Sequence, residues 1–206
     1  MTLGFLKKLR RAGLSHVSYG LESGSKNVLG KMGKHIDLPL AAEVIRNSHT
    51  LGIHTTVNII VGFPDETEND ILESADFIRK NSGFMDEVYF HPLVLMRGSP
   101  LDDLKDRFCI DIPEGNRISL WHTKDGRNNY KVRLERIELY KKVLKDKFVS
   151  NISMFNHYLN IADQYYGEGN KRFALEYYLK AKELTEDNDK LCLLEDRIRR
   201  CQEIKV

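Results

Sequence analysis

No apolar run in the 206-residue chain is long enough to span a bilayer, and the opening stretch MTLGFLKKLRRAGLS is too short and too amphipathic for a secretory signal. Charge of one sign is also lacking: 32 Lys and Arg stand against 30 Asp and Glu, a net charge of +2, with no basic stripe. Neither a membrane nor a nucleic acid is therefore expected as a partner, and the chain reads as cytoplasmic. Cysteine is scarce. Cys109, Cys192 and Cys201 are widely spaced and odd in number, which fits neither a disulfide framework nor a Cys-x-x-Cys metal site. No metal ligand is assigned to them, and Cys109, in the string RFCIDI, is expected in the core. Gly-x-Gly-x-x-Gly and phosphate-loop lysine patterns are missing as well, which disfavours a nucleotide held through its phosphates. A nucleoside held by its ribose hydroxyls and base edge stays open, because a carboxylate accepts from a diol.

What is present is a repeat. With 41% hydrophobic and 30% charged residues, the chain can form one good core or two small ones. Three amphipathic helices, over 2–12, 38–51 and 67–80, each end at a glycine followed by an apolar residue (Gly13-Leu14, Gly52-Ile53, Gly83-Phe84) and lead into strand-like runs over 16–20, 54–61 and 87–93. Asp37 reads as a helix cap with Pro39 in the first turn, and Thr67 with Asp70 as a capping box. The strands look apolar on both faces, as parallel strands covered on both sides do. Alternating helix and strand with right-handed crossovers give a doubly wound sheet or a barrel, and in either the chemistry lies at the carboxyl ends of the strands.

Those ends carry GLESGS, GFPDET and HPLVLMRGSP. Gly20, Gly24 and Gly62 suit close approach or positive φ. Glu22 and Ser23 supply acceptors, Ser25 is a candidate cap for the helix KNVLGKMG, and Glu66 is expected to hold its loop. Asn58 should face the interior if Ile60 and Gly62 do, either satisfied within the core or touching substrate. His91, Met96 and Arg97, at the end of the last strand, are each either an ordinary loop residue or a group facing substrate.

YGLESGSKNVLGKMGK followed by GIHTTVNIIVGFPDETENDI, with GSPL and LWHTKDGRNNYKVRLERIELYKKVL beyond, resembles the second half of a radical S-adenosylmethionine enzyme of the branch that carries a cobalamin-binding domain. The resemblance covers roughly residues 1–148. It implies an α/β fold comprising strands four to six of a partial six-unit (βα) barrel over 1–105, then an extension with a long helix over 106–148. It implies that Glu22 and Ser23 contact the ribose of S-adenosylmethionine, Lys34 the methionine carboxylate, and Ile60, Val61, Gly62 and Phe63 the adenine. The family's Cys-x-x-x-Cys-x-x-Cys triplet for a 4Fe–4S cluster is not in these residues, nor is its Gly-Gly-Glu segment. The expectation is a fragment, partnered by a separately encoded amino-terminal half with the cluster and a cobalamin domain. Cobalamin as a cofactor follows from the resemblance only.

Residues 149–206 read as an all-α tail. YLNIADQYYGEGNKRFALEYYLKAKELTEDN resembles one tetratricopeptide repeat, with Tyr158, Ile161, Ala162 and Tyr165 on its first helix and Ala174, Tyr178 and Ala181 on its second, closed by a third helix. One repeat cannot bury its own face, so packing on the rest of the chain, a protein partner or self-association is expected. Two functions follow: a fragment of a radical S-adenosylmethionine enzyme, or a non-catalytic interaction module on a degenerate half barrel.

Overall fold

Three of the early helices start at side-chain caps. In the computed structural model, which describes residues 1–112, 119–144, 151–167 and 169–202, α1 (Leu3–Arg11) starts at Thr2, whose side chain accepts from the Phe5 N–H. After β1 (His16–Glu22) and the short α2 (Lys26–Lys31), α3 (Leu38–Thr50) starts where Asp37 accepts from the Leu40 N–H at 2.9 Å. β2 (His54–Val61) leads to α4 (Glu68–Asn81), opened by the Thr67/Asp70 capping box. A 3-10 turn over Ser82–Phe84 precedes β3 (Glu87–Pro92). Gly13 and Gly52 take the positive φ of helix-ending glycines, at 101° and 69°. Gly83 does not, because the 3-10 turn occupies its place.

The strands form a parallel sheet in the order β1-β2-β3. Register aligns Tyr19 with Val57 and Val57 with Val88, and Ile59 with Phe90, so these residues share one face. That face is apolar and buried: Val57, Ile59, Val61 and Val88 are fully covered. Each such side chain contributes roughly 1.5–3 kcal/mol. The opposite face carries His16, Ser18, Gly20, Thr56, Asn58, Ile60, Glu87, Tyr89 and His91, and much of it is exposed or half-buried. The expectation of strands apolar on both faces is therefore corrected. HVSYG and EVYFH alternate, and their polar members face away from the helices.

After α5 (Pro100–Asp103), β4 (Ile110–Asp111) pairs antiparallel with β5 (His122–Thr123), and α6 (Tyr130–Leu144) packs on α4 and the sheet, stacking Tyr140 on Phe90 at 4.6 Å between ring centroids. Cys109, expected in the core, is exposed with φ 49°. The turn there hands the buried place to Ile110, which packs with Leu95 and Trp121.

Contacts divide the chain into Met1–Val149 and Ser150–Val206. The sequence-derived boundary at 148–149 lies outside the described residues. The second unit has α7 (Asn151–Gly167), α8 (Lys171–Lys182) and α9 (Asn188–Gln202). Ala162, Ala174 and Ala181 are fully buried, Asn170 caps α8, and Glu168 of the connecting turn is outside the described residues. Asp163 accepts from the Tyr178 hydroxyl at 2.6 Å and pairs with Arg197, tying all three helices together.

Candidate functional site

A bulge at the end of β1 decides where the first acid goes. Register shifts between Gly20 and Glu22, turning Leu21 into the core at 3% exposure and Glu22 to φ 66°, a conformation that a non-glycine residue rarely adopts. A Cβ on Gly20 would lie 2.9 Å from Glu22 Oε1, so the space that glycine leaves is filled by the carboxylate itself. Lys34 Nζ stands 3.4 Å from the same oxygen, its side chain half-exposed and that of Glu22 18% exposed. Such a loose pair contributes little to stability and leaves the carboxylate able to accept from a ligand.

Beside Glu22, the polar face carries a connected set of groups. Asn58 donates from Nδ2 to Ser18 Oγ at 2.7 Å and to the Tyr19 carbonyl at 3.4 Å, and its Oδ1 is 3.1 Å from His91 Nε2. Burial pushes the His91 pKa down while the Glu22 charge pulls it up, with a net lowering. Further along, Thr56 and Tyr89 donate to Glu87 Oε2 at 3.3 and 3.1 Å.

The other residues assigned from the sequence fall into two groups. Ile60 is half-buried on the polar face, next to His91 in register. Val61 is fully buried on the apolar face, and Phe63 is 5% exposed, edge-on to Phe108 at 5.5 Å. Gly62 has φ 87°; its N–H donates to Glu66 Oε2 at 2.7 Å and its carbonyl accepts from Asn128 Nδ2 at 2.9 Å. Ser23 is 1% exposed, with its hydroxyl against Ser74 Oγ at 3.1 Å and accepting from the Ser25 N–H. The structure thus gathers Glu22, Lys34, Asn58, Ile60 and His91, and places Ser23, Val61 and Phe63 in the interior.

Ser25 sits at the start of α2, but its side chain caps nothing. It donates instead to Asp70 Oδ1 at 2.6 Å. Gly24, next to it, lets α4 approach: a Cβ there would meet Ser74 Cα at 2.6 Å.

Sequence reasoning missed the brace over Gly62. Arg133 of α6 is fully buried with its stem across that glycine, donating to Asn128 Oδ1 (3.1 Å) and to the carbonyls of Ser119 (2.8 Å) and Trp121 (2.9 Å), its guanidinium 3.9 Å from the Trp121 ring. Burial lowers its pKa to about 9, which still leaves it charged at neutral pH. Arg136 reaches Glu66 Oε2 at 3.3 Å. Burial raises the Glu66 pKa from 4.5 to about 7 against the opposing pull of Arg136 and the Gly62 N–H. Its folded pKa lies above the unfolded value, so its favourable contribution is full below about 4.5 and is lost as pH rises through about 7. Glu66→Gln should therefore gain stability relative to the parent across that window, as measured by urea denaturation at several pH values.

The residues described do not fit an iron–sulfur cluster: the two cysteines Cys109 and Cys192 are exposed in different units, Cys201 is buried, and no three metal-ligating side chains converge among the described residues.

The chain matches the family model of the Radical SAM superfamily over residues 1–78. Among curated proteins it is similar to an uncharacterized methyltransferase of Pyrococcus horikoshii (30% identity over 74 residues, 36% of this chain and 16% of that protein). It is also similar to the threonylcarbamoyladenosine tRNA methylthiotransferase of Bacillus subtilis (27% over 96 residues, 46% and 21%). A third is the tRNA-2-methylthio-N(6)-dimethylallyladenosine synthase of Clostridioides difficile (31% over 127 residues, 57% and 26%). The matches span about a quarter or less of these relatives' lengths. The fold resembles that of coproporphyrinogen III oxidase from Escherichia coli, described as a radical SAM enzyme, with a TM-score of 0.50 at 15% identity, over 69% of this chain and 30% of that one.

Proposed function

We propose that the first unit is the nucleoside-holding half of the S-adenosylmethionine site of a radical S-adenosylmethionine enzyme, with Glu22 as the ribose acceptor. The observation that carries this reading is the Glu22 carboxylate, set by a bulge at the carboxyl end of a parallel strand and seated over Gly20. On this reading the three strands are the carboxyl-terminal half of a partial barrel, whose polar face is its lining. Lys34, already beside Glu22, is the group for the methionine carboxylate, and Ile60 offers the apolar contact to adenine. The share of this segment in the reaction is to hold and orient the nucleoside. The reductive cleavage that generates a 5'-deoxyadenosyl radical belongs to the complete enzyme, and a role for cobalamin rests on the sequence resemblance alone.

The cluster ligands would come from a part of the enzyme outside these 206 residues. In support, among the described residues β1 is an end strand of the sheet, and beside it lies a mainly apolar recess of about 320 Å³ lined by Leu21, Ile36, Leu40, Val44 and Ile45. An unpaired strand edge next to apolar surface favours a further strand and helix. The tail keeps its tetratricopeptide-like reading, supported by the buried alanines between α7 and α8, with protein capture or self-association as its role.

Calorimetric titration of the 206-residue chain with S-adenosylmethionine tests the site. Glu22→Gln should weaken binding about tenfold, the loss of one charge-assisted hydrogen bond. Equal binding by parent and variant would remove Glu22 from the site.

A further inference from the structure

The hydrogen-bond order on the polar face fixes a tautomer. Asn58 presents Nδ2 to the Tyr19 carbonyl, which can only accept, so its Oδ1 is the end turned to β3. An amide oxygen also only accepts, and His91 Nε2 at 3.1 Å must therefore carry the hydrogen. Neutral His91 is then left with an unprotonated Nδ1, and that atom has no partner among the described residues. The ring is half-buried on the same face as Glu22, stacked on Tyr89 at 6.3 Å, and its lowered pKa keeps it neutral near pH 7.

We propose that Glu22 and His91 Nδ1 form an acceptor pair for the hydroxyl or amine donors of a bound nucleoside, with Asn58 as the positioning residue that holds His91 in its accepting tautomer. The assignment of Glu22 rests on the S-adenosylmethionine reading, whereas that of His91 follows from the hydrogen-bond order. The nucleoside is either the cofactor's own or a substrate's. The second source suits relatives named for chemistry on tRNA adenosine.

Imidazole nitrogens of the ¹⁵N-labelled full chain report this directly. Near neutral pH, His91 Nδ1 should resonate as an unprotonated nitrogen and Nε2 as a protonated one, and Asn58→Ala should average the two. Adenosine should shift Nδ1. His91→Phe should weaken adenosine binding about tenfold, and His91→Asn, whose amide oxygen lies near the Nδ1 position, should restore most of it. Repeating the titration with S-adenosylmethionine at saturation separates the sources: a lost adenosine shift assigns the pair to the cofactor, and a retained one to the substrate. If adenosine binds and Glu22→Gln weakens it while His91 Nδ1 and His91→Phe show no change, the acceptor pair is overturned and the Glu22 reading stands. If neither adenosine nor S-adenosylmethionine binds, both fall.

Discussion

Gly62→Ala should destabilise the first unit by about 4 kcal/mol. Two costs add. At φ 87° an alanine carries the left-handed penalty of roughly 1–2 kcal/mol. The new methyl would also sit 2.1 Å from Arg133 Cγ and 2.5 Å from Cδ, so the arginine stem must leave. Moving it strips the carbonyls of Ser119 and Trp121 and the Asn128 amide oxygen of a charged donor, for ~1–3 kcal/mol. Denaturant unfolding followed by fluorescence of Trp121, the sole tryptophan, reads this unit because the Arg133 guanidinium lies over that ring. In a double-mutant cycle with Arg133→Ala the two losses should fall short of additive, since the clash exists only while both side chains are present. Strict additivity would show that the arginine does not lie over Gly62 in solution.

Asp70→Ala should cost about 3 kcal/mol. This buried carboxylate accepts from Ser25 Oγ (2.6 Å), Asn27 Nδ2 (3.1 Å), the Thr67 N–H (2.9 Å) and Thr67 Oγ1 (2.7 Å), so it both caps α4 and anchors the loop after β1. Burial pushes its pKa up, but the hydrogen bonds from Ser25, Thr67 and Asn27 together outweigh that and hold it at about 2. The folded pKa lies below the unfolded 3.8, so the stabilisation is fully present above about 3.8 and is lost as pH falls toward 2. Asp70→Asn should accordingly flatten this acid limb of the stability profile. An unchanged acid limb in the asparagine variant would mean that other carboxylates govern it.

Helix caps and strand positions were legible because their signals are local. Asp37, Thr67 and Asp70 act within three or four residues, and β2 occupies His54–Val61 as its pattern indicates. The candidate acid Glu22 was legible for the same reason, as a charge between glycines at a strand end. Two things were not. Alternation in HVSYG and EVYFH was outweighed by the apolar look of β2, which hid the polar face. The destinations of Ser23, Ser25 and Gly62 depend on Ser74, Asp70 and Arg133, partners that lie 45–71 residues further along the chain, and no local pattern marks such pairs. Cys109 shows the converse, an apolar string whose register is reset by one left-handed residue.

The link between Asn128 and the Gly62 carbonyl spans 66 residues of chain. During synthesis, the end of β2 therefore emerges long before the residues that close over it. Until α6 follows, Gly62 is free to sample other conformations, and the Glu66 carboxylate is without Arg136. Closure of so long a loop is slow compared with formation of α4 alongside. The rim next to Ile60 thus acquires its final shape as a late event, timed by the arrival of the last helix of the unit.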